Sequence, residues 1–318
     1  KAYDNQVTGA FDADSADASP DGMTRQENNY NAVKETQSVN KSNLIIFGRE
    51  IMKHGSEVGL HGYNHQPLVF GSYTGFDAEL GYNAWPSEED AERALVNIRD
   101  SFAQVFADYQ MMSYVPPSNL LSEEGRQVLK SVFPQLRVIS GVYYESATSE
   151  NIYLQEFTKG SDGMYDIPRV SDGYYITKNM NWNILNALNS IGVFSHFTHP
   201  DNAFYEDAIM EMGWKKVFKD FEEYMIDLKT NFSWLRTVTA TQSTVYVEDF
   251  INLDYRVYED GPEMVIDCWG FQEDVFFILR TPKKIIAITG AEAELIDTNA
   301  WILKISANQV KITFESGR

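Results

Sequence analysis

From Leu44 onward the apolar residues fall into alternating short and long patterns. Leu44, Ile45, Phe47, Ile51 and Met52 recur at helical spacing and predict a helix that stops at His54-Gly55. Val58 and Leu60 then alternate with Glu57 and Gly59, the period of a short strand. Ser87-Glu88-Glu89-Asp90 has the form of a capping box and opens a helix with Ala91, Leu95, Ile98, Phe102, Val105, Phe106 and Tyr109 on one stripe. Met111 to Val115 predicts a strand, Ser122 caps a helix with Val128, Leu129 and Val132 inward, and Leu136 to Gly141 predicts the next strand. After a variable stretch, Trp182 to Ile191 reads as a helix and Gly192 to Asp201 as a strand. A long helix follows from about Tyr205 to Asn231, with Trp214, Val217, Phe218, Phe221, Tyr224, Met225 and Leu228 facing in.

The rhythm changes near residue 243. Val245–Val247, Tyr255–Tyr258, Val265–Ile266, Val275–Leu279, Ile285–Ile288, Ile302–Ile305 and Val310–Phe314 are seven short β-type runs, several of them separated by turn signals such as Asp260-Gly261-Pro262. Two domains are therefore expected. Residues 1–242 form an α/β domain, a parallel sheet or barrel with crossover helices, and residues 243–318 a small all-β sandwich. Residues 1–42 are polar and carry no clear period.

Composition narrows the partners. Asp and Glu number 46 against 26 Lys and Arg, a net charge of −20, which opposes binding to nucleic acid or to an anionic membrane and suits a neutral or cationic polymer. No apolar run approaches the roughly 20 residues needed to cross a bilayer. Eighteen Tyr and six Trp suit a carbohydrate-handling surface as well as a core. The lone Cys268 permits neither an internal disulfide nor a cysteine metal cluster, and its apolar surroundings mark it as a buried small hydrophobe.

Candidate chemistry rests on the histidines. His61 and His65 follow the Glu57–Leu60 strand, and a helical turn there would bring their rings onto one face. Two neutral imidazoles can hold a borderline divalent cation such as zinc. His196 and His199 end a later strand. In an α/β barrel functional side chains gather at the C-terminal ends of the strands, so four of the five histidines are expected at one mouth.

The segment His54-Gly55-Ser56-Glu57-Val58-Gly59-Leu60-His61-Gly62-Tyr63-Asn64-His65 resembles the metal-binding segment of the NodB-type polysaccharide deacetylases, the family 4 carbohydrate esterases. Tyr114-Val115-Pro116-Pro117-Ser118 is similar to that family's Arg-Pro-Pro-Tyr segment, and Phe197-Thr198-His199-Pro200 to the late motif bearing the catalytic histidine. The three segments stand in the family's order across roughly residues 44–240, and the terminal sandwich is similar to accessory domains on divergent bacterial members. The resemblance implies a deacetylase-type β/α barrel, incomplete or distorted, and metal-dependent removal of N-acetyl groups from a cell-surface or secreted polysaccharide. His61 and His65 would then bind the metal, with Asp12 as the carboxylate candidate. His199 would be the catalytic acid, with His196 as the alternative, and Tyr63, Pro117 and Ser118 would be substrate contacts. Two departures stand out: the family's Asp-Asp pair is missing, and Val115 occupies the place of its Arg. The first strand with its carboxylates is accordingly expected to precede Lys1. A non-catalytic carbohydrate-binding or matrix protein on the same scaffold is the second reading, and a hydrolase of a different amide the third.

Overall fold

The structure is a computed structural model that describes residues 45–70, 84–141, 143–144, 152–153, 155–174, 177–199, 212–271 and 274–315. The chain divides into two compact units, with breaks at Gly173/Tyr174, Phe194/Ser195, Trp214/Lys215, Val238/Thr239 and Thr241/Gln242.

In the first unit, helix α1 spans 45–53 and ends where Gly55 turns left-handed at φ +79°. Its closing hydrogen bonds run from Gly55 N to Met52 O and from Ser56 N to Ile51 O, the αL stop expected of a C-terminal glycine. The chain then extends through 58–60. Leu60 pairs in parallel with Tyr114 of strand β1 (Ser113–Tyr114). Helix α2 (Glu88–Ala103) begins at Ser87, whose hydroxyl accepts from Asp90 N, and buries Ala91, Leu95, Ile98 and Phe102. Helix α3 (Glu123–Val132) begins at Ser122 in the same way and buries Val128, Leu129 and Val132. Each such cap contributes about 1 kcal/mol.

Strand β2 (Val138–Ser140) lies parallel to β1, and five short strands, β3 to β7, come from the stretch with no sequence pattern. Strand β5 (Thr158–Lys159) pairs antiparallel with β6 (Tyr165–Ile167), and β6 is parallel to β2, giving the order β1-β2-β6-β5. The hairpin partners β3 (Tyr143–Tyr144) and β4 (Ile152–Tyr153) stand apart. Strand β7 (Ser171–Asp172) pairs in parallel with β8 (His196–Phe197). Among the described residues this α/β sheet is open, and no barrel closes. Leu60, Leu68, Leu95, Tyr114, Leu129, Phe133 and Ile139 form its fully buried core.

The second unit contains α4 (Lys178–Ser190) and α5 (Trp214–Asn231), the latter lying in this unit from Lys215. These helices pack through Ile184, Leu188, Tyr224 and Leu228. Trp214, Phe218 and Met225, expected inward, are exposed. Helix α5 carries two adjacent apolar stripes, and the covered one contains Val217, Tyr224 and Leu228. Helix α6 (Ala240–Asn252), whose first two residues belong to the first unit and which lies in this one from Gln242, replaces the strand expected at Val245–Val247. Its buried positions include Ser243, Thr244 and Val247, so its helical period is written mostly in polar residues and only the Val-Tyr-Val run looks apolar.

The C-terminal strands make two antiparallel sheets. One has the order β12-β15-β10-β9 and the other β11-β14-β13, with β9 Asp254–Asp260, β10 Glu263–Trp269, β11 Val275–Arg280, β12 Ile285–Thr289, β13 Ala291–Asp297, β14 Ala300–Ile305 and β15 Gln309–Phe314. Ile266, Cys268, Leu303, Ile305, Val310 and Ile312 from both sheets share one buried cluster, a sandwich-like arrangement. Strand β13 has no counterpart among the sequence runs, because Ala291-Glu292-Ala293-Glu294 alternates without a strong apolar residue. No helix among the described residues is long and apolar enough to cross a membrane.

Candidate functional site

The 58–60 extension is fixed from two sides. Leu60 N donates to Ser113 O at 2.8 Å, and Val115 N donates to Leu60 O at 2.9 Å. At its start the Tyr109 hydroxyl accepts from Val58 N and donates to Val58 O, at 2.6 and 3.1 Å, as a neighbouring strand would. Burial pushes the Tyr109 phenol above its ordinary value. The Glu57 carboxylate accepts from Thr241 N at 2.9 Å and Thr241 Oγ1 at 2.8 Å, capping the first turn of α6. Glu57 therefore serves as a distant N-terminal helix cap.

His61 follows this extension and is buried. Its Nδ1 lies 2.8 Å from Val115 O. A carbonyl can only accept, so the proton belongs on Nδ1 and the Nε2 lone pair is the ring's ligand atom. The helical turn expected after His61 does not form. Asn64 and His65 both take positive φ, 50° and 56°, and Gln66 N closes the turn on Tyr63 O at 3.0 Å. This is the left-handed pair of a primed β-turn, and Asn tolerates that region better than most residues. The imidazoles still meet, with centroids 4.8 Å apart and planes at 75°. Two rings bound to one tetrahedral zinc through bonds of about 2.0–2.1 Å would have centroids about 5 Å apart, so the pair fits two positions of such a centre. Among the described residues no group of three or more His, Cys, Asp or Glu converges for a cation. Asp12 lies outside the described residues.

The segment after β1 packs on this turn. Gly62 has φ +89°, and a Cβ there would sit 2.7 Å from Pro117 Cγ, so the close approach needs glycine. Pro117 is buried and Ser118 half-buried, and Ser118 and Asn119 take positive φ, 50° and 60°. The amides of Asn119 and Leu120 donate to Pro116 O and Pro117 O, so the two amides after Ser118 are used by the turn itself. Tyr63 packs its ring against the core.

At β8 the two histidines differ. Ser171 Oγ donates to His196 Nδ1 at 2.9 Å, and His196 Nε2 donates to Gly173 O at 2.8 Å. Both nitrogens thus lace β7 to β8. Burial holds the His196 pKa below its ordinary value, against the opposing pull of the Gly173 carbonyl and Asp172. His199 sets its ring edge-to-face against Phe197, centroids 4.5 Å apart. Pro200 lies outside the described residues.

Arg169 gives no signal in the sequence, being a single cation after β6 in a stretch without helical or strand period. Its Nη2 donates to Asn119 Oδ1 at 2.9 Å, and its guanidinium carbon lies 3.5 Å from the Phe197 centroid. A second charged cluster involves α3. Arg126 donates from Nη1 to Asp166 at 2.8 Å and from Nε to Asp162 at 2.5 Å. Burial pushes the Asp166 carboxyl up, and Arg126, shared between two carboxylates, offsets this only in part. Burial also acts upward on Asp162, but the Arg126 and Met164 hydrogen bonds outweigh it and hold its carboxyl below the usual value.

No curated protein and no solved structure matches the chain. Residues 2–302 match the family described as "Uncharacterised protein conserved in bacteria (DUF2194)". Because that match spans most of its length, the chain belongs to this bacterial family.

Proposed function

We propose that the chain is a metal-dependent deacetylase that removes N-acetyl groups from an extracellular or cell-surface polysaccharide. The observation that carries this reading is the His61–His65 pair. The rings lie 4.8 Å apart just beyond the 58–60 extension, and His61 is oriented by the Val115 carbonyl. The strand order of 58–60, β1, β2 and β6 is read here as part of a deacetylase-type barrel, and the sandwich-like region as an accessory domain that contacts polymer.

His61 Nε2 and His65 would hold the cation, with Asp12 as the carboxylate candidate. When bound, the cation supplies Lewis-acid polarisation of the amide carbonyl and lowers the pKa of water at the site. The reaction adds water across the amide: the C–N bond breaks, a C–O bond forms, and the sugar nitrogen gains a proton. His199 supplies that proton, because its His199-Pro200 pair is the closer match to the resembled late motif, with His196 as the alternative. Tyr63, Pro117 and Ser118 border the substrate.

Acetate released from N-acetylhexosamine oligomers by zinc-supplemented protein tests the reading. Release by the native chain and its loss in His61→Ala are expected, and equal release by both ends the proposal. Val115, standing where the resembled family has Arg, favours a second reading: a non-catalytic carbohydrate-binding protein on the same scaffold. That reading expects oligosaccharide binding that survives chelation, without acetate release.

A further inference from the structure

Arg169 joins three segments distant in sequence. Its guanidinium edge donates to Asn119 Oδ1 at 2.9 Å, while the group stacks 3.5 Å from the centroid of Phe197. Asn119 is the second of two left-handed residues closing the loop after β1. Phe197 ends β8 and packs on the His199 ring at 4.5 Å with planes 71° apart. Using an edge and a face at once requires a planar cation. A lysine ammonium is a point donor and cannot reproduce both contacts.

The geometry points to Arg169 as a positioning residue that fixes the His199 imidazole relative to the Pro116–Asn119 loop. It acts through Phe197 on one side and Asn119 on the other. The positive φ values of Ser118 and Asn119 sharpen the argument, because sparsely populated backbone persists where neighbours hold it, and the Arg169 bond is one such hold. The link to catalysis rests on the deacetylase reading, whereas the positioning role stands on geometry alone.

The test uses the full chain with isotope-labelled histidine, the His199 ring signal being assigned by its disappearance in His199→Gln. In Arg169→Met the His199 signal is expected to move toward the position of exposed His54, with His61 unmoved. Arg169→Lys should fail to restore it. Asn119→Gly keeps the left-handed turn but removes the acceptor, and should displace the same signal by a smaller amount. It also serves if Arg169→Met does not fold. If acetate release is present in the native chain, Arg169→Met should lower kcat by about 10- to 100-fold with little change in KM. An unmoved His199 signal in Arg169→Met, or in Asn119→Gly should the first variant not fold, overturns the positioning role whether or not the protein deacetylates anything. A moved signal in a protein without deacetylase activity supports the role and discards only the catalytic reading.

Discussion

Asn64 shows how much of the candidate site depends on one backbone conformation. A left-handed residue costs an ordinary L side chain about 1–2 kcal/mol, and a β-branched one more, whereas Asn and Gly adopt it readily. The turn Tyr63–Gln66 places two such residues in succession, and His65 is the second. His65 therefore meets His61 through the turn and not through helical spacing. Under the proposed metal site, Asn64→Val should unfavour the turn and weaken zinc or cobalt binding by about 10- to 100-fold, the scale on which ligand orientation affects affinity, although both imidazoles remain. Asn64→Gly should bind within a few-fold of the native chain. Titration with cobalt, followed by its visible absorption, checks both; native affinity in Asn64→Val would show that the turn does not set the pair.

Strands β7 and β8 are two residues each, too short for backbone pairing to hold alone, and side chains supply the remainder. Ser171, His196 and the Gly173 carbonyl form one chain of hydrogen bonds across the pair, and Ser195 Oγ donates to Pro168 O at 2.5 Å. In the neutral imidazole Nδ1 accepts from Ser171, and protonation would turn the Ser171 hydroxyl into the acceptor. Burial lowers the His196 pKa, so the folded chain takes up that proton less readily than the unfolded chain does. The stabilisation is complete above the unfolded value of about 6.5 and is lost as pH falls through the lower folded value. Thermal unfolding midpoints should fall between pH 7 and pH 5, and more steeply in the native chain than in His196→Gln; parallel curves would remove His196 as the cause. Elements of this kind were hard to read from the sequence. Helices α2 and α3 were legible because Ser caps and apolar stripes are local signals, and β15 because Val310, Ile312 and Phe314 alternate inward. Strands β6 and β7 were not, since they are short and separated by Pro168, and their place depends on partners far along the chain. The His61–His65 pair was visible in the spacing although the turn that makes it was not. Arg169 was invisible because Asn119 and Phe197 become its neighbours only on folding.

At the scale of the whole molecule, charge governs which polymers can approach. A net −20 raises the local concentration of cations and repels polyanions over distances near the Debye length, about 8–10 Å at ordinary ionic strength. Under the proposed reaction a neutral N-acetylated polymer becomes a polymer of protonated amines, so product and substrate differ in charge along their length. The acidic chain should then bind the deacetylated oligomer more tightly than the acetylated one at low salt, and the difference should shrink as salt screens it. Apolar and hydrogen-bonded contacts to the sugar are much less sensitive to salt, so affinity for the acetylated oligomer should change little. Calorimetric titration of matched acetylated and deacetylated oligomers at low and high ionic strength separates the two contributions. A preference for the deacetylated oligomer that persisted at high salt would place recognition in specific amine contacts and not in the overall field. No preference at low salt would mean that the acidic surface lies away from the polymer's path, leaving its charge without a role in handling either form.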